Sequence, residues 1–198
     1  MAFNIADFKA SGLQFNGARP TQFEVIMTPP LVIGANIKGR LKFLIKATQI
    51  PPAIIDRVNV PYFGRDIALS GDRTFPDWTI TVMNDADFAA RTMFEAWSNK
   101  MNALVSNYMS RDVFPLDYKA DMQVRQFAMD GQVAREYTIH GGFPTQIAPI
   151  SLDWDAKSRI EEFDVTIAYD WWTPNDSLGI DSSTVDNISE GLLNPSSP

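Results

Sequence analysis

Cysteine is absent from the 198 residues, and that absence removes disulfides, thiolate metal sites and cysteine nucleophiles together. Such a chain suits a reducing compartment. Histidine is nearly absent as well. His140 is the only one, which excludes a metal centre built on several imidazoles. Its place beside Gly141-Gly142 at a strand end predicts a structural, hydrogen-bonded histidine and not a catalytic base. No apolar run is long enough to span a bilayer. Residues 1–12 lack a basic end followed by an apolar core, so no secretory signal is predicted, and the Asn175-Asp-Ser177 and Asn187-Ile-Ser189 triplets carry no expectation of glycosylation. Positive charge is in deficit, with 24 acidic against 17 basic side chains and a formal net charge of −7. Gripping nucleic acid through its phosphates is driven by counterion release and calls for a basic protein; this balance repels a polyanion. Phosphate-loop, GxSxG and HExxH signatures are all missing.

What is present is the composition of a folded domain, 45% hydrophobic and 21% charged. The chain is organised around residues 71–105, read as a turn, a strand and one helix. Trp78, Ile80 and Val82 alternate with Thr79, Thr81 and Met83, the period of a half-buried strand. Asp85 or Asp87 can accept from the free N–H groups of the turn that follows, which starts a helix over 87–105. Ala90, Met93, Phe94, Trp97, Met101 and Leu104 form its apolar stripe.

Most of the remainder reads as strands. Phe23, Val25 and Met27 mark a first one, ended by Pro29-Pro30; residues 31–39 read as a loop. Leu41, Phe43, Ile45 and Ala47 alternate with Arg40, Lys42, Leu44 and Lys46 and predict a second strand with a solvated lysine face. Residues 53–70 read as a long hairpin or arm, with apolar Val58, Val60, Tyr62 and Phe63 on a segment that has little to bury them. Folding onto its own core and reaching another subunit are both open readings. Residues 106–119 read as a loop. Residues 120–129 and 132–140 pair around Asp130-Gly131, a hairpin turn signal, and Gly141-Gly142 with Pro144 predicts a break before a short strand at 145–152. The last strand places Phe163, Val165, Ile167, Tyr169 and Trp171 on one face, with Glu162, Asp164 and Asp170 projecting together from the other. An outer solvated face is the ordinary reading of that alternation. From Thr173 onward the chain is rich in Ser, Asp, Asn and Pro, as in a flexible tail. Asp153 and Asp155 have the spacing to hold a divalent cation or act as an acid–base pair, but a turn capped by its own carboxylates fits them better.

Residues 71–85, GDRTFPDWTITVMND, resemble the signature of the tail tube proteins of contractile-tailed phages of the T-even type. Ala18-Arg19-Pro20 leading into Phe23-Glu24-Val25, Lys46-Ala47-Thr48, and LDWD (152–155) followed by EEFDVTIAYDWW (161–172) agree in the same order. The resemblance spans 18–172; residues 29–39 and the tail from Thr173 are longer than the family pattern. It implies a mainly β fold, two packed antiparallel sheets forming a sandwich or barrel flanked by one α-helix. It implies a tube domain over 1–172, with 173–198 as a C-terminal extension. In the implied hexamer, strands of neighbouring copies close a ring-wide barrel, which removes exposed edges. The implied function is structural: rings stack into the inner tube of a contractile tail that conducts DNA during ejection, with no enzyme activity and no cofactor or metal. The alternatives are a baseplate tube initiator and the tube of a phage-like contractile injection particle. A hydrolase using Asp153 and Asp155 and a monomeric ligand-binding β domain are readings of other classes.

The implied partners are further copies of the chain, the tail sheath outside, the tape measure protein and DNA in the lumen without tight binding, and the baseplate and tail terminator at the ends. The chain itself is not expected to insert in a membrane. Assembly is expected in the host cytoplasm and the final location in the virion. Within this frame Glu162, Asp164 and Asp170 are expected to line the channel. Val58, Val60, Tyr62, Phe63 and Arg65 are expected at the contact between rings, and the helix and the C-terminal tail on the outside.

Overall fold

The computed structural model describes residues 18–30, 41–109 and 114–175. Nine strands and three helices are seen among them: β1 (Phe23–Met27), α1 (Leu41–Leu44), β2 (Ile45–Thr48), β3 (Ile54–Tyr62), β4 (Arg65–Thr74), β5 (Trp78–Met83), α2 (Ala89–Met101), α3 (Pro115–Tyr118), β6 (Ala120–Phe127), β7 (Val133–Ile147), β8 (Glu162–Ala168) and β9 (Trp171–Pro174). All described pairings are antiparallel. Seven strands make one folded-over sheet in the order β1-β6-β7-β8-β5-β2, with β9 also on β7; β3 and β4 form a separate hairpin.

The fold-over happens inside β7, a single strand of 15 residues. Its first part pairs with β6 and β9 and its last part, from Phe143, with β8. Gly141 sits between them at φ +66°, a left-handed conformation that favours glycine. The Gly141-Gly142 pair therefore marks a bend in a continuous strand. It is not the break expected from sequence, because turning a strand between two layers needs the same glycine that ending one does. The expected strand at 145–152 is the tail of β7 and stops at Ile147, ahead of Pro149.

One core lies between the two half-sheets. Val25, Met27, Met122, Val124 and Ile139 enter it from the β1-β6-β7-β9 half, and Ile80, Val82, Phe163, Val165 and Ile167 from the β7-β8-β5-β2 half. Helix α2 contributes Ala90, Met93, Phe94 and Trp97, as its stripe predicts, with Phe94 edge-on to Phe163 at 6.3 Å. Asp85 accepts from the Ala89 N–H at 2.9 Å, satisfying one free donor of the first turn. The helix ends at Met101, so Leu104 lies beyond it and is exposed.

Two further expectations are corrected. The strand expected over 40–47 begins as the helical turn α1: Leu41 and Ile45 are buried and Leu44 half-buried while Phe43 is exposed, a spacing of three and four that belongs to a helix. The last strand ends at Ala168, turns at Tyr169-Asp170, and resumes as β9 on the other half-sheet, so its alternation does not run on to Trp171. Residues 106–119 include the short helix α3. β9 runs to Pro174, and the Asn175 N–H donates to the Glu136 carbonyl at 2.8 Å. The loop expected at 31–39 and the rest of the expected C-terminal tail lie outside the described residues.

Candidate channel face and assembly hairpin

The outward face of the β7-β8-β5-β2 half is polar across its middle. Glu162, Asp164 and Thr166 of β8 stand beside Met83, Thr81 and Thr79 of β5 in register. Thr81 Oγ1 donates to Asp164 at 2.7 Å, and Gln146 of β7 is paired with Thr166 on the other side. Lys46 of β2 reaches across to Glu162 at 2.5 Å. The face thus holds two carboxylates and one ammonium, embedded in hydroxyl and amide groups.

Of the three expected channel residues, Glu162 and Asp164 share this face and Asp170 does not. Asp170 lies past the end of β8, where both its carboxylate oxygens accept from Lys119 Nζ at 2.7 Å and its N–H donates to the His140 carbonyl at 3.0 Å. The reversal at Tyr169 has no marker in the sequence, since Tyr169 and Trp171 continue the apolar alternation. His140 stacks on Trp171 at 5.4 Å, meets Thr173 Oγ1 at 3.0 Å and faces Asp121 at 3.4 Å. It joins β6, β7 and β9, which is a structural placement.

The β3-β4 hairpin stands clear of the core. Every residue of β3 is exposed. Its two-residue turn, Phe63-Gly64, has φ of +46° and +77°, the type I′ geometry. β4 begins at Arg65 and runs to Thr74, taking in residues 71–74 that the sequence assigned to a turn. The register makes the hairpin amphipathic. Val58 with Leu69, Val60 with Ile67, and Tyr62 with Arg65 lie on one face; Arg57 with Ser70, Asn59 with Ala68, and Pro61 with Asp66 lie on the other. All five expected contact residues, Val58, Val60, Tyr62, Phe63 and Arg65, are on this element, the first three and Arg65 on its apolar face and Phe63 at the turn.

Asp153 accepts from the Asp155 N–H at 3.0 Å, a turn closed by its own carboxylate. Among the described residues no group of three or more His, Cys, Asp or Glu side chains is arranged to hold a metal ion, and no helix is long and apolar enough to cross a membrane.

The sequence profile of the family described as phage tail tube protein matches residues 18–175. The chain belongs to that family. The tail tube protein gp19 of Enterobacteria phage T4 is 38% identical over 156 residues, covering 78% of this chain and 90% of that one. The tail tube protein of Serratia phage KSP90 is 24% identical over 144 residues, covering 73% and 80%. A sheath/tube terminator of an extracellular contractile injection system, PVC, in its extended state superposes with a TM-score of 0.57 at 14% identity, over 78% of this chain and 94% of that one; it shares the fold. As a tail tube protein this chain is a structural component of the phage virion.

Proposed function

We propose that this tail tube protein forms hexameric rings that stack as the inner tube of a contractile tail, conducting DNA without catalytic turnover. The observation that carries this reading is a half-sheet with a polar outer face and two open sides. β2 at one edge and the last part of β7 at the other have no strand beyond them among the described residues. Copies set side by side can continue that sheet through backbone hydrogen bonds and leave no edge exposed.

In such a ring the polar face turns to the bore. β2, β5, β8 and the part of β7 from Phe143 carry no arginine, and their one lysine is bonded to Glu162, so passing phosphates meet hydroxyls, amides and carboxylates. A wall of that chemistry does not offer the cations that counterion-release binding needs. The tape measure protein and DNA occupy this bore without tight binding. The sheath lies outside against α2 and the C-terminal extension, and the baseplate and tail terminator close the ends.

The hairpin carries the contact between rings, through Val58, Val60, Tyr62, Phe63 and Arg65. Deleting its tip, residues 60–67, leaves the core residues untouched. The expected product is soluble rings or monomers that do not stack, seen by negative-stain electron microscopy; full-length tubes from the deletion refute the role of the hairpin. Long tubes from the intact chain also separate this reading from a baseplate initiator, which gives single rings.

A further inference from the structure

We propose that the loop at residues 148–161 is the socket into which the Tyr62-Phe63 tip of a second copy inserts, end to end. The proposal rests on the stacking reading above and names the other half of that contact.

The loop encloses an open recess of about 520 Å³, lined by Ile150, Leu152, Trp154, Arg159 and Ile160 among others. Leu152, Trp154 and Ile160 are exposed, Trp154 completely, so the rim presents three large apolar side chains that the single chain does not bury. The recess is preformed because both ends of the loop are pinned. Arg91 Nη1 donates to the Ala148 carbonyl at 2.8 Å at one end. At the other, the Asn84 N–H donates to the Glu161 carbonyl at 2.8 Å and Asn84 Nδ2 to the Glu161 carboxylate at 3.0 Å. The recess sets Ile150, Leu152, Trp154 and Ile160 beside the charged Asp153, Arg159, Glu161 and Glu162, a lining that can take an aromatic ring and a cation together.

The hairpin tip presents an aromatic knob. Phe63 is 91% exposed and its ring meets Tyr62 edge to face at 4.6 Å. It also occupies the first position of a type I′ turn, at φ +46°, where Asn, Asp and Gly are the ordinary residues. A solvated aromatic in a left-handed conformation brings the free chain neither burial nor an easy turn. Such an outlier at the end of an unpartnered arm points to a contact made elsewhere.

Position decides which molecule supplies that contact. β5 and β8 run antiparallel, Trp78 opposite Ile167 at one end and Met83 opposite Glu162 at the other. The hairpin leaves the body beside the first end, where the Pro52 carbonyl accepts from Trp172 Nε1 at 3.0 Å. The recess is at the second end, following Met83 and preceding Glu162. The base of the hairpin and the socket thus lie at opposite ends of one strand pair. A heterologous head-to-tail contact of this kind repeats without closing and builds an open stack. The hairpin reaches about 30 Å, at roughly 3.3 Å per residue over the nine residues of β3. Charge agrees as well: Arg65 stands opposite Tyr62 beside the tip, and Asp153 and Asp155 flank Trp154 on the rim. Arg159 in the lining supplies a cation for an incoming ring.

Because the chain has no cysteine, engineered ones are unique. Assembled full-length protein carrying Phe63→Cys and Ile160→Cys is treated with a short bismaleimide and run on a denaturing gel. The expected result is a ladder rising by one chain per step, absent from either single variant. Tubes that form but give no ladder overturn the proposal, as does a dimer from Phe63→Cys alone. Should the double variant not assemble, charge exchange decides. Arg65→Glu is expected to block stacking and Arg65→Glu with Asp155→Arg to restore it; an exchange no better than Arg65→Glu overturns the proposal. Failure of the unaltered chain to stack removes the tube reading itself, and this socket with it.

Discussion

Gly141 is the residue on which the fold-over depends. It combines φ +66° with a position where an added Cβ would collide with the Asp170 carboxylate. Gly141→Ala therefore has two costs: left-handed strain, and displacement of the Asp170 group that receives Lys119. We expect a loss of about 1–3 kcal/mol, read as a lower midpoint in thermal unfolding. Glu136 makes a second prediction. Burial works against its ionisation, but hydrogen bonds from Asn175 and Arg125 and the charge of Arg125 prevail, and its pKa lies below the ordinary 4.5. A carboxyl with a depressed folded pKa stabilises fully above its unfolded value, and that contribution is lost as the pH falls through 4.5 toward the folded value. Glu136→Gln should then flatten the fall in thermal midpoint across that window, while leaving the neutral chain less stable. An unchanged slope would show that other carboxylates carry the acid sensitivity. Single residues were also where the sequence misled. Asp170 has the spacing of Asp164 and a different place, because a reversal at Tyr169 interrupts no hydrophobic pattern.

Among the elements, α2 was legible because its apolar residues recur over three turns and its start has an aspartate, Asp85, that does accept from the first turn. Strands β1, β5 and β8 were legible for the same reason at period two. What was not legible is where a short alternating run ceases to be a strand. Leu41 to Leu44 fits both periods, and only its neighbours decide between them. The hairpin was visible as an apolar segment without a core, but its bounds were not, since residues 71–74 carry no apolar pattern and Arg73 and Thr74 join β3 only through a bulged backbone pairing. The weight resting on α2 gives a prediction. Trp97 is fully buried, stacks near Phe94 at 6.5 Å and donates from Nε1 to the Tyr118 carbonyl at 2.7 Å. Trp97→Ala removes the ring and leaves that carbonyl unpaired, so chemical denaturation should show a loss of about 3–5 kcal/mol. A loss below about 1 kcal/mol would mean that the helix is peripheral to stability.

For the whole molecule, fold and site answer different pressures. The core is complete in one chain, whereas the half-sheet edges, the hairpin and the recess at 148–161 are surfaces that a solitary copy leaves unused. The sequence showed this asymmetry through a negative charge of −7 and apolar residues stranded on an arm; it did not show which strand face turns to the bore, because that depends on the neighbouring copy. Lysine at Glu162 and Asp164 should stall genome ejection while tubes stay intact, as measured by DNA release from particles. Asp170→Lys should instead weaken the fold, since Lys119 loses its partner. Normal ejection from particles with the first two changes would remove the repulsive-wall account. The most direct measurement is cryo-electron microscopy of tubes grown from the intact chain. The account predicts stacked rings with β7-β8-β5-β2 continuing from copy to copy and Glu162 and Asp164 facing the bore. A bore lined by the opposite half-sheet, or sheets that stop at each subunit boundary, would contradict it.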